Sequence, residues 1–332
     1  MNQSEFKATS QPADYRAIAL KKGKEPKQPK EKGSTLLKMK RSWQLWVLAS
    51  MAFVVVFVFA YIPMYGVVIA FQRFRQVDGF FGSEWVGLLH FRTFINGPHF
   101  WRLVRNTVAI NVYQLIAAFP MPILLALAFN ELKDGKIKKI SQTITYAPHF
   151  ISVVVFSGMI IAFMSPSTGI INNIINFFGF DSIRFLERPE LFRHVYVWTG
   201  IWQGVGWGTV IYLAALSGVD PTLHEAAIMD GATRLQRNWH INIPSILPTI
   251  IILLIMQIGT LMSVGFERMF LLHNAMNALT SETIPIYVFQ VGLMGGAFSF
   301  GAAIGLFNSA INAILLITVN KVTKKITEVG LW

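Results

Sequence analysis

Six stretches without a single Asp, Glu, Lys or Arg divide this chain: residues 42–72, 106–130, 140–180, 194–219, 238–266 and 283–320. The shortest has 25 residues, and a helix needs about 20 to cross a hydrocarbon core. Each gap therefore holds one crossing. The next longest gap in the second half, 269–281, has 13 residues and is too short. Within the gaps the apolar cores run over residues 45–63, 109–129, 144–164, 195–216, 246–264 and 302–319, with the continuous Val, Ile, Leu, Phe and Ala content of lipid-facing helices. The expected fold class is an all-α membrane protein with six transmembrane helices. The third and sixth gaps exceed one crossing and should contain uncharged loop. In the third, Ser165-Pro166-Ser167-Thr168-Gly169 supplies a break, with a short helix over 170–180 beyond it.

Composition agrees. Of the 332 residues 53% are apolar and 14% charged, against about 25% charged in soluble proteins. That composition argues against an ordinary cytosolic enzyme. The chain has no cysteine, which removes disulfides, thiolate zinc sites, iron–sulfur clusters and cysteine nucleophiles. The net charge of +12 fits either nucleic acid or an anionic membrane surface, and position decides. Assigning the N-terminal segment, the 131–139 and 220–237 loops and the tail after Asn320 to one side gives that side 20 of the 29 Lys and Arg, including all 16 lysines. By the positive-inside rule both termini are expected in the cytoplasm. Residues 21–41 then read as a juxtamembrane polybasic segment facing lipid headgroups, and no nucleic-acid partner is expected. Residues 1–41 show no apolar signal-peptide core, so the first helix is expected to act as an uncleaved anchor. The expected organisation is a basic cytoplasmic segment over 1–42, a six-helix domain over 43–320 that includes a cytoplasmic loop over 220–245, and a cytoplasmic tail over 321–332.

Between the fourth and fifth crossings lies Asp220-Pro221-Thr222-Leu223-His224-Glu225-Ala226-Ala227-Ile228-Met229-Asp230-Gly231-Ala232. Asp220 suits an N-cap, Pro221 the first helical position and Gly231 a left-handed stop. A second short segment, 233–240, leads to Pro244 and Pro248. Helix chemistry alone reads this as a structured connector. Its adjacent alanines, however, leave one face nearly bare for close approach of another surface, with an acid beside them to meet a cation.

These residues resemble a known pattern. Glu225-Ala226-Ala227, Asp230-Gly231-Ala232 and the run from Ile241 through Pro244 to Pro248 are similar to the EAA loop of permease subunits of binding-protein-dependent ATP-binding-cassette importers. Further motifs follow the branch that imports complex oligosaccharides: Pro63-Met64-Tyr65-Gly66 with Ala70-Phe71, Trp85-Val86-Gly87-Leu88 with Phe91, Asn106-Thr107, Gly305-Leu306-Phe307-Asn308-Ser309 and Gly330-Leu331-Trp332. Asn242 stands where the family usually has a hydroxyl residue, and the first 41 residues lie outside the match. The resemblance implies a type I importer permease fold in the bacterial plasma membrane, surrounded by lipid. It also implies Glu225, Ala226, Ala227, Asp230 and Gly231 as the coupling set that docks on an ATPase. The implied partners are two ATPase subunits carrying ATP and Mg, a second homologous permease and an extracellular solute-binding protein that delivers an oligosaccharide.

The chain itself is expected to be non-catalytic and to bind no cofactor or metal. No G-x-x-x-x-G-K-[ST] or H-E-x-x-H occurs. Gly200, Gly204 and Gly208, and likewise Gly301 and Gly305, are spaced by four and read as helix-packing faces. The apolar cores hold no Asp, Glu, Lys or Arg, which counts against the alternative of an ion-coupled secondary sugar transporter. His149 beside Pro148 reads as a neutral histidine satisfied by a neighbouring helix, and Glu267 and Arg268 as a solvated outer rim. Candidates along the sugar path are Trp202, Gln203, Trp207, Gln257, Asn308 and Asn312. Each has a structural alternative, in the interfacial aromatic belt or in helix-to-helix hydrogen bonds.

Overall fold

The computed structural model describes residues 42–263 and 265–331. The polybasic segment 21–41 and Trp332 of the closing motif lie outside the described residues. The chain divides into two units, Met1–Pro63 and Met64–Trp332. In the first, helix α1 (Trp43–Val56) continues through a π turn at Phe57–Tyr61.

In the second unit, a two-residue strand pair joins Gln72–Arg73 to Glu84–Trp85 in antiparallel register. Helices α2 (Phe100–Ala118) and α3 (Pro120–Glu131) follow end to end, with Pro120 at the first position of α3, where its missing N–H costs no helix bond. Next come α4 (Lys136–Tyr146) with a 3₁₀ turn at Ala147–Phe150, then α5 (Val153–Phe163). A short helix, Ile170–Phe177, lies beyond the Ser-Pro-Ser-Thr-Gly break. The longest middle helix is α6 (Pro189–Leu216). After α7 (Pro221–Met229), α8 (Arg234–Arg237) runs through a π turn into α9 (Ile243–Gly259). The second half closes with α10 (Phe266–Leu272) and the 30-residue α11 (Phe298–Thr327).

Among the described residues, four runs are long and apolar enough to cross a membrane: Trp43–Phe71, Phe100–Glu131, Arg234–Gly259 and Phe298–Thr327. The pair Lys136–Phe150 and Val153–Phe163 makes a fifth if taken as one span, although it bends by 99°. Helix α6 has 28 residues, about 42 Å of length, but its Gly, Trp, Tyr, Thr and Gln content dilutes its apolarity. Two helices meeting at 99° thus stand where a single spanning helix is expected over 144–164. Pro148 sits in the 3₁₀ turn, Ile151 is extended and Ser152 caps α5 by accepting from the Val155 amide at 3.4 Å. A cap placed there starts a new helix axis.

Two boundaries also moved. The fifth run begins at Arg234, so the segment expected as a separate short piece is continuous with it. Its π turn at Asn238–Asn242 lies just before Pro244, whose missing N–H interrupts the i→i−4 ladder. In the sixth gap the expected loop is partly the apolar helix Ile284–Met294.

Three apolar clusters hold the second unit. Ile110, Phe156, Phe192, Tyr196, Met269 and Ile286 join α2, α5, α6 and α10. Leu103, Met262, Ile284 and Ile304 form the second, and Leu127, Tyr212, Leu216 and Ile246 the third. Two motifs of the resemblance act as struts here. Buried Asn106 donates to the carbonyls of Leu279 and Glu282 at 2.9 and 3.0 Å, and Thr107 accepts from the Ile284 amide at 3.0 Å. Buried Asn320 holds the chain end by accepting from the Leu331 amide at 2.8 Å.

Candidate functional site

The 220–240 segment is built almost entirely from local chemistry. The Asp220 carboxylate accepts from the Thr222 amide at 2.9 Å, and Pro221 opens α7. The Thr222 amide, then its hydroxyl, holds the Asp220 carboxyl below the ordinary carboxylate range. At the other end Gly231 has φ +78°. The Ala232 amide bonds the Ala227 carbonyl at 2.8 Å and the Gly231 amide bonds that of Ile228 at 3.0 Å. Those two bonds are a Schellman stop, which needs a left-handed residue at that place. Two residues later Thr233 and Gln236 form a capping box, each satisfying the other's amide. The chain therefore leaves α7 and re-enters helix within four residues.

Glu225, Ala226, Ala227, Asp230 and Gly231 are brought together on this one exposed element. No residue of α7 is buried. Residue patterning missed the larger apolar side chains that accompany them: Leu223, Ile228 and Met229 are 49%, 55% and 87% exposed. Their occurrence in a helix with no buried face was the available signal. A cleft of about 320 Å³ adjoins, lined by Ala227, Asp230, Gly231, Gln236, Arg237 and His240.

The six sugar-path candidates are not brought into one pocket. Three sit on α6. Trp202 packs its ring 5.3 Å from that of Phe156, and Trp207 stacks flat on His149 at 4.8 Å. Gln203 donates to the Ile151 carbonyl at 3.3 Å, the carbonyl left free where α4 and α5 part. Asn312 accepts from the Met262 amide at 2.8 Å and donates to Ser263 at 2.9 Å, tying α11 to the end of α9. Gln257 and Asn308 border two different cavities. Gln257 borders a groove of about 310 Å³ along α6, while Asn308 borders an apolar groove of about 590 Å³ and leaves its buried Oδ1 without a partner.

The glycine faces also need correction. A Cβ at Gly204 or Gly305 meets nothing within 4 Å, so neither is a close contact. Close approaches include Gly206 against the Thr145 carbonyl, Gly208 against Pro122, Gly259 against Leu316 and Gly292 against Gly301. Arg268, expected on a solvated rim, is part-buried instead, with its guanidinium 4.0 Å over the Tyr196 ring and against Gly200. Glu267 is exposed as expected.

Together, the bundle of apolar helices and the capped, outward-presented α7 define a membrane permease component of an ATP-binding-cassette transport system. The chain belongs to the binding-protein-dependent transport system inner membrane component family, whose pattern matches residues 118–327. It is 42% identical over 304 residues to the polygalacturonan/rhamnogalacturonan transport system permease protein YteP of Bacillus subtilis (strain 168), covering 91% of this chain and 95% of that protein. Protein LplB of the same organism is 40% identical over 299 residues, 90% of this chain and 94% of the relative. In three dimensions the chain is similar to one in the crystal structure of a bacterial alginate ABC transporter in complex with alginate pentasaccharide-bound periplasmic protein. That match has a TM-score of 0.82 and 36% identity, and covers 90% of this chain and 99% of that one. None of these relatives supports the ion-coupled alternative.

Proposed function

We propose that this chain is a non-catalytic permease subunit, of the type I importer fold, that passes an oligosaccharide across the bacterial plasma membrane while ATP is hydrolysed on two partner subunits. A second, homologous permease completes the pathway, and an extracellular binding protein delivers the sugar. The relatives, a polygalacturonan/rhamnogalacturonan transport permease and a chain of an alginate ABC transporter, support a sugar polymer as cargo. The reading has six spans: the four long apolar runs, the broken pair α4 and α5, and α6, whose length suffices and whose dilute apolarity suits a helix facing a path rather than lipid. Both termini and α7 then lie on the lysine-rich cytoplasmic side.

The observation that carries this reading is α7. It is capped at both ends by its own side chains and turn, yet exposes Leu223, Ile228 and Met229 beside Ala226. Apolar side chains displayed in water mark a surface that another protein covers. Glu225, Ala226, Ala227, Asp230 and Gly231 form the docking set on the ATPase, which holds ATP and Mg. Closure of the ATPase pair on ATP moves α7, and the permease shifts between inward and outward states because ATP and the loaded binding protein each favour one of them. Replacing Gly231 with Val tests this. The variant is expected to insert and assemble normally but to lose uptake and binding-protein-stimulated ATPase activity together. Normal transport in that variant contradicts the coupling role.

A further inference from the structure

Among the described residues, none supplies Arg268 with an acid or a hydrogen-bond acceptor, although its guanidinium is drawn in against another helix. Its guanidinium reaches Gly200 on α6, where an added Cβ would lie 2.3 Å from Nη1. Gly200 is eleven residues past Pro189, roughly 16 Å along the helix, so the charge sits near the middle of a helix long enough to span. Tyr196 and Gly200 are one turn apart on the same face. The Tyr196 ring, itself 1% exposed, covers the flat face of the guanidinium at 4.0 Å. Stacking occupies the face, but the N–H donors point out in the plane. Among the described residues no carboxylate lies within 4.0 Å of them and no hydrogen bond uses them. Arg73, Arg75, Arg102 and Arg184, in contrast, each hold an acid.

Below Gly200 the same face of α6 continues as the groove of about 310 Å³ floored by Gly204 and Gly208, with Gln257 and Leu253 on its wall. No side chain crowds Gly204. A cation at membrane depth is costly unless it is matched, and a guanidinium fork with free donors matches a carboxylate in bidentate fashion. We propose that Arg268 recognises a carboxylate on the sugar in transit, so that the cargo is an acidic oligosaccharide whose uronate-type unit passes Arg268 and then the Gly204–Gln257 groove. This rests on the oligosaccharide-permease reading above and adds the charge class of the cargo and the residue that selects it.

The complete importer, reconstituted with its ATPases, second permease and binding protein in liposomes, provides the test. The probes are trigalacturonate and its carboxyl-reduced counterpart, galactotriose. Arg268→Gln is expected to lower ATP-dependent uptake of trigalacturonate by about tenfold or more, with galactotriose uptake, assembly and basal ATPase activity unchanged. Gly200→Ala pushes the guanidinium aside without removing its charge, and only the tip of a flexible side chain has to move. It is expected to reproduce the same selective loss. An equal fall in both sugars, which marks a structural role or a salt bridge to another subunit, overturns the inference. So does a wild-type importer that takes up galactotriose but not trigalacturonate, and in that case the importer reading stands. Absence of ATP-dependent uptake of both probes by the wild type fails the importer reading and this inference together.

Discussion

A Cβ added at Gly206 meets the Thr145 carbonyl oxygen at 2.1 Å, whereas one added at Gly231 meets nothing within 4 Å. The two glycines are required for different reasons, which separate experimentally. Gly206→Ala forces α4 and α6 apart at a backbone contact that cannot rotate away. It is expected to destabilise the protein by about 1–3 kcal/mol, read as a lower melting temperature in detergent. Gly231→Ala strains only its left-handed backbone, at about 1–2 kcal/mol, and its effect belongs to the α7 turn, leaving the melting of the bundle unchanged. Asp220 adds a pH-dependent element. Its carboxyl is held below the ordinary range by the Thr222 hydrogen bonds, so its cap is fully present above the unfolded value and is lost as pH falls through the depressed folded one. Asp220→Asn caps without titrating. Local protection of α7 amides, followed by hydrogen exchange, is expected to decline toward low pH in the wild type and to stay flatter in the variant.

At the level of elements, α7 was legible from sequence nearly residue by residue, because caps and stops are local chemistry: Asp220, Pro221 and Gly231 all do what their types favour. The break between α4 and α5 was not. The absence of charge over 140–180 says that the segment tolerates lipid, but two helices at 99° and one straight helix satisfy that equally well. The local break at Pro148 and the Ser152 cap is supported by a tertiary bond: Gln203, on another helix, supplies a donor to the Ile151 carbonyl that the break exposes. By residue type and membrane depth Gln203 is equally a candidate sugar contact or a helix-to-helix hydrogen bond, and the structure places it in the second role. Gln203→Leu is therefore expected to cost about 1–3 kcal/mol by leaving the part-buried Ile151 carbonyl without its donor, with apparent sugar affinity unchanged. A raised half-saturation concentration without loss of stability contradicts that structural role. Asn312 was read the same way and likewise serves as a strut. Arg268 was misplaced because sequence position shows only where a backbone sits; a long side chain reaches a vacancy, Gly200, on a helix far away in the chain.

For the molecule as a whole, charge sidedness and the exposed α7 make one joint claim: the lysine-rich face is cytoplasmic, and α7 is the contact through which ATP hydrolysis elsewhere drives this chain. The absence of cysteine makes the claim directly measurable, since a single engineered thiol is the only one present on the chain. Ala226→Cys, in membranes carrying the assembled importer, should resist an impermeant thiol reagent added from outside, react when the cytoplasmic face is opened, and cross-link to an ATPase subunit with a short bifunctional reagent. Labelling of that thiol from the outside, or an assembled complex that yields no cross-link to the ATPase, contradicts the account.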